Sequence, residues 1–118
     1  VAKLHFKYGA MNSGKSDTLI KTAYNYTEQG LIVATIKPSV DTKGNRMIVA
    51  RGGASREVDI LAGPNDNLRL KIKKWRSRQD KPNLNCVLVD EAQFLTRQQI
   101  GQLYEVAKKM TYLLLHTA

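Results

Sequence analysis

Leu4, Phe6 and Tyr8 alternate with His5 and Lys7 until the pattern stops at Gly9, which predicts a short strand running into a turn. Beyond Gly14 the residues Leu19, Ile20, Ala23, Tyr24 and Thr27 recur at helical spacing. A helix is therefore expected over Lys15–Gln29, with Gly30 as the left-handed residue that ends it. Leu31-Ile32-Val33-Ala34-Thr35-Ile36 is an unbroken, largely β-branched run of the kind that fills a strand buried on both faces. Strand, helix and strand in succession make a β-α-β unit, and its crossover should be right-handed over a parallel sheet.

The stretch 37–67 is rich in Gly, Asn, Asp and Pro, and only Met47-Ile48-Val49-Ala50 reads as a strand, so a functional loop or hairpin is expected there. Between Asn67 and Gln79, Leu68, Ile72 and Trp75 share one helical face while Arg69, Lys71, Lys73, Lys74, Arg76 and Arg78 occupy much of the rest. Asn85-Cys86-Val87-Leu88-Val89 predicts a second buried strand that ends at Asp90-Glu91. Thr96 followed by Gln99 is a capping-box signature, and Ile100, Leu103, Ala107 and Met110 continue a helix from about Arg97. Alternating strands and helices give an α/β fold. No repeat or linker divides the chain, so residues 1–118 are read as one domain.

Composition narrows the partners. Nineteen Lys and Arg against ten Asp and Glu leave a formal charge of +9 over 118 residues, a surface suited to nucleotides or other polyanions. The single cysteine, Cys86, excludes an internal disulfide and a cysteine-rich zinc site, and it reads as a small buried hydrophobe. No apolar run approaches the roughly 18–20 residues that span a bilayer, and the first residues lack the core of a signal peptide. The expectation is a soluble, cytoplasmic protein with no membrane partner. His5 and His116 have no companion at metal-ligand spacing and are read as structural or surface residues.

The chemistry concentrates at two places. Gly9-Ala10-Met11-Asn12-Ser13-Gly14-Lys15-Ser16 satisfies G-x-x-x-x-G-K-[ST] between a predicted strand and a predicted helix. In such a loop the backbone N–H groups cradle a phosphate chain, the lysine reaches the β and γ phosphates of ATP, and the hydroxyl ligates Mg2+. The apolar strand ending in Asp90 supplies the carboxylate a phosphate-bound magnesium needs, and Glu91, just beyond it, is placed to act as general base. The Arg69–Arg78 run is read as a solvated face, with Trp75 in the core rather than stacking on a nucleic acid, so no nucleic-acid partner is expected.

Together these motifs resemble the type II, cellular-type thymidine kinases, in their bacterial branch. The likeness rests on Tyr8 through Ser16 with Met11 at the third loop position, on Tyr24-Asn25-Tyr26, and on the stretch from Cys86 through Asp90-Glu91-Ala92-Gln93-Phe94 to Gln99. It implies a P-loop NTPase of RecA-like type, with a mainly parallel sheet flanked by helices, that phosphorylates the 5′-hydroxyl of thymidine or deoxyuridine from ATP. Glu91 would be the base, and Asp90 with Ser16 the magnesium side. Met11 and Phe94 would border the thymine. Lys43 of Asp41-Thr42-Lys43 and Arg51 of Arg51-Gly52 would lie toward the nucleotide phosphates, and Gln93 would be a further nucleotide-binding residue. The resemblance further implies a homotetramer and a C-terminal zinc-binding lasso whose Zn2+ ligands are absent from this chain.

In that family a strand should follow the helix ending near Met110, whereas Thr111–Ala118 is similar to a later helical stretch. Residues are therefore expected to be missing between Met110 and Thr111 and after Ala118. Asp90-Glu91-Ala92-Gln93 also matches a helicase motif II, so a nucleic-acid-dependent ATPase is the alternative, and a non-catalytic nucleotide switch a third reading.

Overall fold

A computed structural model describes the backbone of residues 3–7, 15–39, 46–49, 53, 55–78, 84–108 and 112–116, and the side chains of these except 3–7, 15–18, 112–114 and 116. The elements are β1 (Lys3–Lys7), α1 (Lys15–Glu28), β2 (Val33–Pro38), β3 (Met47–Val49), β4 (Ser55–Glu57), β5 (Ile60–Ala62), α2 (Leu68–Ser77), β6 (Cys86–Val89), a 3-10 turn (Ala92–Phe94), α3 (Arg97–Ala107) and β7 (Tyr112–His116). Five strands form one sheet in the order β1-β7-β6-β2-β5, and every pairing in it is parallel. This is the α/β fold with a parallel sheet and flanking helices that the alternation of patterns predicts.

The sheet is apolar on both faces because helices cover both. Leu19 and Ala23 of α1 pack with Val33, Cys86 and Leu88 on one side. Leu68 and Ile72 of α2 and Leu103 and Ala107 of α3 pack with Ala34, Ile36, Val87 and Val89 on the other. Alternation along β6 therefore serves two cores at once, which is why the strand has no polar position. The chain moves one way across the sheet through α1 and the opposite way through α2 and α3. Helices on opposite faces are what a constant right-handed crossover requires of that reversal.

Most local signals hold. Gly30 has φ +83° and follows α1 as expected, with Leu31 N–H donating to Tyr26 O at 3.0 Å. Thr96 and Gln99 make both bonds of the capping box. Gln99, 2% exposed, also donates from Nε2 to Gly63 O at 2.8 Å and Asp66 O at 3.1 Å, tying the start of α3 to the loop before α2. Asn67 caps α2 through Leu70 N–H, and Trp75 packs against the core, as its helical position suggests.

Three differences are informative. The second strand begins at Val33 rather than Leu31, because Ile32 N–H is taken by Asn85 Oδ1 at 2.9 Å. Within 37–67 the antiparallel hairpin β3–β4 is joined by β5, a strand of three residues too short to show a period. It is aligned by Asp59, whose Oδ2 accepts from Thr35 N–H at 2.8 Å and Thr35 Oγ1 at 3.0 Å. The largest correction concerns Tyr112–His116, which resembles a helical segment in sequence but is a strand between β1 and β6. Tyr-Leu-Leu-Leu carries no period that separates a buried helix from a buried strand, and the gap between two parallel neighbours decides in favour of the strand.

This packing has two measurable consequences. Leu88→Ala, which empties a fully buried site in the central strand, should lower unfolding free energy in urea titration by about 2–5 kcal/mol. Burial pushes the Cys86 thiol from its ordinary 9.0 up to about 12. A thiol-selective reagent at pH 8 should therefore label the chain only after unfolding. Because the fold favours the protonated form, this contribution to stability is complete below about pH 9 and is lost as pH rises toward 12.

Candidate functional site

In a parallel sheet all strand ends of one kind lie along one edge, and the register fixes which ends are level. Lys7, the last residue of β1, pairs with His116, while Val89, the last of β6, pairs with Leu115. Asp90 thus follows β6 at the height where β1 stops, with only β7 between them, a lateral separation of about 10 Å at the usual strand spacing. Helix α1 returns to the opposite edge, where a short connection leads it into β2. Its first residues, Lys15 and Ser16, therefore lie at the carboxyl edge with Asp90. Helix α1 packs on one face of the sheet and α3 on the other, so the connections that follow β1 and β6 serve opposite faces, and the carboxyl edge between them is where open α/β sheets receive ligands.

The tip after β6 is built from four side chains in distinct environments. Asp90 is 5% exposed, and its N–H donates to Ile36 O at 2.9 Å, continuing the sheet one residue past the strand. Glu91 adopts φ 54°, ψ 44°, the only positive φ outside glycine among the described residues. For a residue with a Cβ this region costs about 1–2 kcal/mol, and such cost clusters at functional positions. The turn swings Ala92 and Leu95 into the core and leaves Gln93 and Phe94 outside, Phe94 at 47% exposure. Phe94 N–H donates to Glu91 O at 3.1 Å, and Gln93 Nε2 donates to Glu91 Oε2 at 2.5 Å.

Chemically this is a buried carboxylate at a strand end, a half-buried carboxylate held by an amide, and an exposed flat ring, all within five residues. Among the described residues no group of three His, Cys, Asp or Glu converges as a protein-built metal cage would require. A single strand-end carboxylate is nonetheless the donor set for a magnesium ion that takes its remaining ligands from phosphates and water. Gln93, expected among the nucleotide-binding residues, contacts the Glu91 carboxylate. Only side-chain geometry could reveal that. Of the other expected site residues, Gly9, Ala10, Met11, Asn12, Ser13, Gly14, Lys43 and Arg51 lie outside the described residues. Among the described residues no helix is long and apolar enough to cross a membrane.

Known proteins resemble this chain over most of its length. The family model described as thymidine kinase matches residues 2–118. A thymidine kinase of Coxiella burnetii is 41% identical over 111 residues, covering 93% of this chain and 55% of the relative. One from Rhodopirellula baltica is 42% identical over 107 residues, 90% of this chain and 49% of the relative. One from Salmonella typhimurium is 39% identical over 111 residues, 93% and 52% respectively. The chain thus spans about half the length of these relatives. None of these likenesses supports a helicase-type ATPase.

The backbone at Glu91 gives a test independent of any activity. Glu91→Gly removes the Cβ from a left-handed position and should raise stability by about 1 kcal/mol in thermal or urea unfolding. Glu91→Gln keeps the Cβ and should leave stability within about 0.5 kcal/mol of the original.

Proposed function

This chain belongs to the thymidine kinase family, and on that footing we propose that it forms the phosphate-handling centre of an enzyme that transfers the γ-phosphoryl group of ATP to the 5′-hydroxyl of thymidine or deoxyuridine. The observation that carries this reading is the Asp90-Glu91 tip, level with the end of β1 and on the same sheet edge as the start of α1. The fold is then a P-loop NTPase of RecA-like type, with Gly9 through Gly14 as the phosphate loop. Its backbone amides, the Lys15 ammonium and the positive end of α1 stabilise charge on the transferring group. Lys43 and Arg51 serve as further phosphate contacts.

Glu91 takes the proton from the 5′-hydroxyl as its oxygen bonds to the γ phosphorus and the bond to the β-γ bridging oxygen breaks, leaving ADP and the nucleoside monophosphate. Gln93 acts on the carboxylate it touches, holding Glu91 toward the acceptor. Phe94, exposed beside it, offers its ring to the pyrimidine, with Met11 on the other side of the base. Asp90 and Ser16 would hold magnesium, which when bound neutralises charge on the phosphates. The residues here do not fit zinc, since Cys86 is buried between two helical layers. A zinc-binding lasso would belong to the portion of the relatives that this chain does not span. Assembly as a homotetramer in the cytoplasm completes the proposal.

Two substitutions separate the roles. Glu91→Gln should retain ATP binding by calorimetry while thymidine-dependent ADP release falls by about two to four orders of magnitude, the range for loss of a general base. Lys15→Ala should weaken both ATP affinity and rate. Undiminished turnover of Glu91→Gln would remove Glu91 from the mechanism, and ADP release that responds to DNA but not to thymidine would overturn the kinase reading.

A further inference from the structure

Helix α2 carries a charge pattern that folding alone does not ask for. Leu68–Ser77 reads LRLKIKKWRS, with five cations and no acid, and Arg78 comes next. The first turn has no acidic residue and holds Arg69 and Lys71, against the preference of the helix dipole. Arg69 and Lys73, Lys73 and Arg76, Lys71 and Lys74, and Lys74 and Arg78 are like-charged neighbours at spacings of three or four residues, each a destabilising pair. Lys71 is answered nearby by Asp66 at 2.9 Å.

The cations are sorted by face. Lys71, Lys74 and Arg78 line the side toward β5. Arg69, Lys73 and Arg76, at i, i+4 and i+7, line a cleft of about 690 Å³ between α2 and α3, to which α3 adds Glu105, Val106 and Lys108. Among the described residues Glu105 is the one acid in that lining, and it pairs with Lys108 at 3.3 Å. The cleft also contains an apolar surface. Leu70 is 53% exposed there, opposite the half-buried Val106.

We propose that this cleft docks an acidic, amphipathic segment of a partner protein, with carboxylates on Arg69, Lys73 and Arg76 and an apolar side chain on Leu70. Cations at i, i+4 and i+7 rise about 10 Å along α2, the same spacing that acids on one face of a partner helix present. Nucleic acid fits less well. The one tryptophan, Trp75, packs against the core and lines the opposite side, so the cleft offers bases no stacking platform, while Leu70 offers phosphates nothing. A symmetric contact between two copies at this cleft would set Arg69, Lys73 and Arg76 against the same cations, so the cleft is not the face through which copies meet.

The test is fluorescence anisotropy of the full-length protein with a labelled 14-residue helical peptide carrying Glu at i, i+4 and i+7 and Leu beside them. Binding should weaken with salt, by about tenfold or more in Arg69→Glu/Lys73→Glu/Arg76→Glu, and by about tenfold in Leu70→Asp or when Ser replaces Leu in the peptide. Leu70→Asp should melt no lower than the parent, since it changes an exposed side chain, and thermal melting of the triple variant checks that it is folded at the assay temperature. Thymidine phosphorylation should be unchanged in both. Binding that ignores Leu70→Asp and the peptide leucines, or a dT oligonucleotide that displaces the peptide with equal or higher affinity, would overturn the proposal.

Discussion

The structure depends on β6 being covered on both faces. Val87 and Val89 belong to the core beneath α2 and α3, Cys86 and Leu88 to the core beneath α1, and all four are fully buried. A strand so buried cannot carry an unpaired charged side chain along its length, so its first acids come where it leaves the sheet. Asp90 is that residue. Its N–H still bonds to Ile36, which holds the carboxylate at the rim rather than in solvent. Hydrophobic burial thereby positions a charged group to within the precision of a strand register.

The turn beyond Asp90 is held less by burial than by a local compromise. The backbone at Glu91 takes a left-handed conformation, and Ala92 and Leu95 enter the core on the far side of it. Leu95 leads directly into the Thr96 cap, so α3 starts at a fixed distance from the tip. The strain at Glu91 is thus held between a strand end and a helix start, each secured by its own hydrogen bonds. Gln93 and Phe94 are presented outward as a result, one on the Glu91 carboxylate and one as an open ring.

Charge is distributed unevenly along the chain. Its cations gather on α2, remote in sequence from the proposed phosphate loop. The sheet order places β1 and β5 at opposite edges, so the helix that follows β5 is also remote in space from the start of α1. Net charge alone does not distinguish a substrate field from a docking surface. Its distribution over two clefts and an exposed leucine does.

Much was legible along the chain itself. Uninterrupted apolar runs announced β2 and β6, the spacing of Leu19, Ala23, Leu68, Ile72 and Leu103 announced helices, and Gly30 and Thr96 marked the end of one and the start of another, because caps and periodicity are set by neighbours a few residues away. Asp90-Glu91 stood out for the same reason, as acids just past a buried run. The tertiary structure alone decided that Tyr112–His116 is a strand, that β5 joins the sheet, that Glu91 sits at φ 54° and that Gln93 reaches it. Each of these is fixed by a partner distant in sequence or by a backbone geometry forced between two packed elements, and a linear pattern has no term for either.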